Sequence, residues 1–179
     1  MRFLEKFYNK TIKYELNNKF HYAKVESLPG LKKIILNFGC QTADMRRLSS
    51  SLLALEIIAN QKGHMTKTNF SNILFKVRKG NPTGCKITLY KLQMFNFFTK
   101  LLFEILPTLK TFSGLILQKK IQKNAFSFKL YEMFTFNELE NNYFIFNNLP
   151  VLNITITTNS KTKQELIFLL KSFQLPFKN

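Results

Sequence analysis

The sequence predicts an α+β fold: a two-layer sandwich of a mostly antiparallel sheet with helices packed on one face and a long basic loop between central strands. Three observations lead there. Apolar residues recur at helical spacing in several separate stretches, and between them shorter runs alternate apolar and polar residues with a period of two. Hydrophobic residues make up 45% of the chain and include twenty Phe, enough to bury a core. A length of 179 residues suits one domain rather than two, so residues 1–179 are read as a single domain.

The elements follow in order. Phe3, Leu4, Phe7, Tyr8, Ile12 and Leu16 predict an N-terminal helix over about residues 2–18. After Pro29-Gly30, the alternation of Ile34, Leu36 and Phe38 with Lys33, Ile35 and Asn37 predicts a strand ended by Gly39. Lys33 and Asn37 then share the face opposite Ile34 and Leu36. Met45, Leu48, Leu52, Leu55 and Ile58 or Ala59 define a second helix that stops before Gln61-Lys62-Gly63. Ile73, Phe75 and Val77 alternate with Leu74, Lys76 and Arg78, and Cys85, Ile87 and Leu89 alternate with Lys86 and Thr88, which predicts paired strands around a loop.

Met94, Phe97, Phe98, Leu101, Leu102 and Ile105 predict a third helix ending before Pro107, its aromatic stripe buried in the core. From Phe112 to Met133 short apolar runs among Lys119, Lys120, Lys123 and Asn124 suggest two strands and a basic turn. Ile154, Ile156 and Thr158 alternate as a strand. Thr162 and Glu165 stand at capping-box spacing before Leu166, Leu169 and Leu170, so a last helix follows and is closed by Pro176.

Charge narrows the function. Lys and Arg number 27 against 10 Asp and Glu, a net +17, which argues against an enzyme for neutral metabolites and for a polyanionic partner. Between Glu56 and Glu132 stand thirteen Lys and Arg and one acidic residue, Glu104. Phe, Lys, Asn and Ile are abundant and Trp is absent, as in chains encoded by AT-rich genomes. Glu5 and Glu15 sit where an acidic-poor presequence would have none, so no cleavable targeting signal is expected. Lys100, Glu104 and Lys110 interrupt the longest apolar stretch, and no membrane span is expected.

Chemistry-bearing motifs are absent. Cys40, Cys85, His21 and His64 have no zinc-ligand spacing, so neither metal nor cofactor is expected. Gly80-Asn81-Pro82-Thr83-Gly84-Cys85-Lys86-Ile87 lacks the glycine spacing and the Lys-Ser/Thr ending of a phosphate loop. Asp44 is the only aspartate, and no carboxylate pair or nucleophile–histidine pair suggests catalysis, so the chain is read as no enzyme. A peripheral membrane protein would carry its cations on an amphipathic helix, whereas here they fall on predicted strands and their loop. An RNA-modifying enzyme would carry a catalytic or cofactor motif, and none is found.

Taken end to end, the chain resembles the family of the universal large-subunit ribosomal protein number five. The anchors are Lys33-Ile34-Ile35-Leu36-Asn37-Phe38-Gly39, Gln61-Lys62 with Thr66-Lys67, and Phe75-Lys76-Val77-Arg78 through Gly80, Pro82 and Gly84-Cys85-Lys86-Ile87-Thr88-Leu89. Met94, Phe97, Phe98, Pro107, Phe112, Gly114-Leu115, Ile154-Thr155-Ile156-Thr157-Thr158, Lys161 and Leu175-Pro176-Phe177-Lys178 continue them. The resemblance implies a structural role in the central protuberance of the large ribosomal subunit, with large-subunit rRNA, 5S rRNA and neighbouring proteins as partners.

By the same resemblance Lys33, Asn37, Gln61, Lys62, Thr66, Lys67 and Thr88 are expected to bind rRNA through ribose hydroxyls and phosphates. The loop from Asn69 to Gly84 is expected to reach P-site tRNA through Lys76, Arg78, Lys79 and Asn81. Residues 108–145 are expected to meet small-subunit ribosomal protein number thirteen across an intersubunit bridge. Tyr90 and Lys91 stand where the family usually has Arg and Gly, and Asn137 stands where it has Pro. Such drift suits a mitochondrial ribosome; if that ribosome has no 5S rRNA, the chain docks on large-subunit rRNA and its protein neighbours.

Overall fold

The computed structural model describes residues 3–40, 44–110, 112–117 and 122–178. Five strands, β1 (Leu31–Gly39), β2 (His64–Lys67), β3 (Pro82–Leu89), β4 (Ala125–Leu130) and β5 (Leu152–Thr158), form an antiparallel sheet in the order β2-β3-β1-β5-β4. Helices pack on it, and the fold is α+β. Burial has the period-two form expected of a sheet covered on one face. Ile34, Leu36 and Phe38 of β1, Cys85, Ile87 and Leu89 of β3, and Ile154, Ile156 and Thr158 of β5 are buried, and the residues between them are more open.

By its internal contacts the chain divides into two compact units. The first comprises residues 1–34, 90–128 and 155–179. Its N-terminal helix runs over residues 3–20, but a wide turn at Tyr8–Ile12 interrupts the α-helical Phe3–Phe7 and Lys13–Phe20. There the Lys13 amide bonds back five residues to the Tyr8 carbonyl. Aromatic packing dominates this unit. The Tyr8 ring stacks on Phe173 at 6.1 Å while its hydroxyl donates to the Pro29 carbonyl at 3.0 Å, and Phe98 meets Phe173 edge-on at 5.4 Å. The stripe of the third helix is core, with Met94, Phe97, Phe98, Leu101 and Ile105 all buried.

That helix does not stop before Pro107 as predicted. It continues through Leu106–Thr108, because a second wide turn at Leu101–Ile105 bonds the Leu106 amide to the Leu101 carbonyl and resets the ladder just where Pro107 has no N–H to give. The final helix, Lys163–Ser172, starts as predicted. The Thr162 hydroxyl accepts from the Glu165 amide, and the Glu165 carboxylate accepts from the Lys161 and Thr162 amides at 2.9 and 3.4 Å. Only one of the two strands expected between Phe112 and Met133 is present among the described residues, β4. Instead of a strand, residues 112–117 make an isolated bridge from Leu115 to Phe177; Lys119 and Lys120 lie outside the described residues.

The second unit comprises residues 35–89 and 129–154. Its Met45–Ala59 helix, capped where the Asp44 carboxylate accepts from the Arg46 amide, packs on β3. Cys85 points into this contact, its thiol donating to the Leu48 carbonyl at 3.5 Å, and the Cys40 sulfur lies 3.7 Å from the Ser51 hydroxyl. The helix ends on Asn60, a residue that tolerates the left-handed φ of 49° found there.

Two tests follow from this packing. Burial, with Cys40 and Glu56 nearby, raises the Cys85 thiol from the ordinary 9.0 to about 11. The folded state thus keeps a neutral thiol that the unfolded chain ionises, so this contribution to stability is complete below about pH 9 and lost as pH rises towards 11. Denaturant titrations across that window are expected to show a shallower loss of stability in Cys85→Ala than in the parent. Lys91 holds φ +46°, a conformation that costs a side-chain-bearing residue roughly 1 kcal/mol. Lys91→Gly is expected to raise stability by about 0.5–1 kcal/mol in the same assay.

Candidate nucleic-acid interface

Alternation along β1 and β3 sorts side chains between the covered and the open face. On β1 the open face carries Lys33, Ile35 and Asn37, all half-buried. On β3 it carries Gly84, Lys86 and Thr88, with Lys86 exposed. Strand β2 pairs antiparallel with β3, His64 opposite Lys86 and Thr66 opposite Gly84, so His64 and Thr66 join that face. The register shifts between Thr66 and Lys67, leaving Lys67 exposed at the sheet edge opposite Pro82.

The pairing of β2 and β3 is unusually close. A methyl group on Gly84 would stand 2.7 Å from the Thr66 hydroxyl and 2.8 Å from the Phe38 carbonyl oxygen, so only glycine fits between the two neighbouring strands. Gln61, just before β2, reaches across to β3, where its side-chain amide lies 3.5 Å from the Thr88 carbonyl. It is turned inward, while Lys62 beside it is exposed. Of the residues predicted to meet RNA, Asn37, Thr66 and Thr88 therefore gather on the open faces of β1, β2 and β3. Lys33 sits on the same face of β1, and Lys62 and Lys67 flank β2.

Sequence reasoning missed Lys86 and His64. The signal for Lys86 was present, since it stands two residues before Thr88 on the same face; His64 was invisible until β2 itself was located.

The prediction of a strand over Ile73–Arg78 is incorrect. The strand that pairs with β3 is β2, and Ile73–Val77 lie inside the connecting loop. The Asn72 side chain accepts from the Leu74 amide at 3.0 Å, Lys76 adopts φ +51°, and paired bonds between Asn72 and Val77 close a tight turn. Deeper in the loop the Thr68 amide donates to the Asn81 carbonyl and the Gly80 amide to the Thr68 carbonyl, at 3.0 and 2.9 Å, with Gly80 at φ +89°. The result is an ordered hairpin that leaves the edge strand and returns as β3.

Lys76, Arg78 and Lys79 are exposed on this hairpin, and Asn81 is half-buried at its base. Between Glu56 and Glu104 the sequence has no carboxylate to neutralise them. Ile73 and Leu74 at the tip are 94% and 90% exposed, and Phe70 is 84% exposed. Among the described residues no helix is long and apolar enough to cross a membrane. A polar strand face beside a cationic hairpin with bare apolar groups is suited to RNA, which offers phosphates, hydroxyls and the faces of unpaired bases.

Comparison with known proteins bears on the same residues. The family model for the C-terminus of ribosomal uL5 proteins matches residues 82–177. The large ribosomal subunit protein uL5m of Reclinomonas americana is 35% identical over 178 residues, covering 98% of both chains. The chain belongs to the uL5 family. The uL5 protein of Nitrosomonas europaea is 37% identical over 180 residues and 99% of both chains, and that of Wigglesworthia glossinidia brevipalpis is 36% identical over 174 residues, 96% of this chain and 97% of the other. uL5 proteins are structural constituents of the large ribosomal subunit and not enzymes, in keeping with a chain whose sequence carries no catalytic constellation. The β3 strand that presents Lys86 and Thr88 falls at the start of the matched uL5 segment.

The close approach at Gly84 gives a direct test of how this face is built. Gly84→Ala is expected to destabilise the protein by about 1–3 kcal/mol in chemical denaturation. Adding Thr66→Ala should recover only part of the loss, because the Phe38 carbonyl still blocks the methyl group.

Proposed function

We propose that this uL5 protein binds rRNA in the central protuberance through the open faces of β1, β2 and β3. Lys33, Asn37, Thr66, Lys86 and Thr88 meet ribose and phosphate there, and Gln61, Lys62 and Lys67 do so at the edge. The RNA is 5S rRNA where the ribosome contains one, and otherwise large-subunit rRNA with neighbouring proteins. The hairpin between β2 and β3 contacts P-site tRNA through Lys76, Arg78, Lys79 and Asn81. Residues 108–145 meet small-subunit ribosomal protein number thirteen across the intersubunit bridge, and the whole chain serves as one functional domain.

The observation that carries this reading is the ordered hairpin, whose Lys76, Arg78 and Lys79 are exposed in a stretch of sequence free of acidic residues. Phosphate backbones reward such a feature because each neutralised phosphate releases counterions. A mitochondrial ribosome is the proposed location. The composition, rich in Phe, Lys, Asn and Ile and without Trp, supports it, as does the similarity to uL5m of Reclinomonas americana.

Replacing Lys76, Arg78 and Lys79 together by Ala is expected to leave large-subunit assembly intact on sucrose gradients. P-site tRNA retention should weaken on the order of tenfold, the equivalent of about 1.4 kcal/mol. Failed assembly with normal tRNA retention would overturn the hairpin assignment.

A further inference from the structure

We propose that the concavity between the N-terminal helix and residues 22–28 is a separate RNA site that holds one unpaired nucleotide. It lies wholly within the first unit and uses no residue of β1, β2, β3 or their hairpin. Its volume is about 420 Å³, within the range of clefts that take small ligands.

Its walls carry the three kinds of group a nucleotide requires. Tyr14 is 67% exposed and offers an aromatic face for a base. Asn9 and Asn17 bring carboxamides for a base edge; the Asn17 side-chain oxygen already accepts from the Tyr22 amide at 3.3 Å, which leaves its NH₂ group to donate outward. Lys13 and Lys24 bring two ammonium groups for a phosphate, and none of the residues lining the concavity is acidic.

Two backbone features shape the site. The wide turn at Tyr8–Ile12 resets the helix between Asn9 and Lys13, and such turns are frequent at functional positions. His21, at φ +49°, ends the helix and turns the chain so that Tyr22 and Lys24 form the facing wall. An acidic peptide would use the lysines but leave the ring and both carboxamides idle, whereas an unpaired nucleotide engages all of them.

The test uses the purified full-length chain and a short fluorescent oligouridylate, with binding followed by anisotropy at several salt concentrations. Tyr14→Ala is expected to weaken binding by about tenfold, the size of one lost base stack, and Tyr14→Phe to stay within about twofold. Lys13→Ala and Lys24→Ala should each reduce the salt slope by about 0.7. Ultraviolet irradiation should place uridine adducts on peptides 14–19 and 20–24.

Unchanged binding in Tyr14→Ala with adducts confined to other peptides overturns the site. Equal weakening in Tyr14→Phe overturns the stacking role. Full displacement by uridine monophosphate would identify a free-nucleotide pocket instead, and full displacement by a polyglutamate peptide an acidic-protein site; either overturns the proposal. Lys86→Ala, measured in parallel, reports the strand face. If it weakens binding while Tyr14→Ala does not, this inference falls and the proposed function stands.

Discussion

One-sided burial of the sheet is the constraint on which the rest depends. Because strand side chains alternate, packing Ile34, Leu36 and Phe38 inward leaves Lys33, Ile35 and Asn37 on the other face, and packing Cys85, Ile87 and Leu89 inward does the same for Lys86 and Thr88. A slip of one residue in either strand would bury cations and expose isoleucine and leucine, so the hydrophobic core and the polar face fix each other's register. The fit of Gly84 between Thr66 and the Phe38 carbonyl reinforces that register by steric means, since any other residue at this height would push the strands apart.

Much of this was legible in the chain. Elements with strong periodicity, such as β1, the Met45–Ala59 helix and the capped Lys163–Ser172 helix, fall where their apolar spacing and caps put them. The failures have local causes. Ile73, Phe75 and Val77 alternate like a strand, yet the Asn72 side chain and the left-handed Lys76 close a turn whose stability owes little to apolar spacing. His64–Lys67 has too few apolar residues to signal a strand, and only its pairing with β3 makes it one. Pro107 is a valid stop signal for an unbroken α-helix, but the preceding wide turn had already released the bond that proline would break.

The candidate interface was legible only in part, for the same reason. Asn37 and Thr88 sit on strands whose alternation declares which way they face. Gln61 does not, because its inward turn depends on reaching the Thr88 carbonyl on another strand. The apolar hairpin tip was read as the inside of a strand because composition alone cannot distinguish a bare isoleucine from a buried one. Phenylalanine abundance proved a guide to packing, with Phe98 and Phe173 central to the first unit.

The bonds that close the hairpin bear on timing as well as on shape. A disordered basic loop would lose backbone entropy each time it met a partner, at about 1–2 kcal/mol for every residue fixed. Here the bonds of Thr68 to Gly80 and Asn81, and of Asn72 to Val77, impose that loss when the chain folds, before any encounter. A contact made by such a preformed tip can be modest in strength and still form and break quickly, as repeated engagement with a passing partner requires.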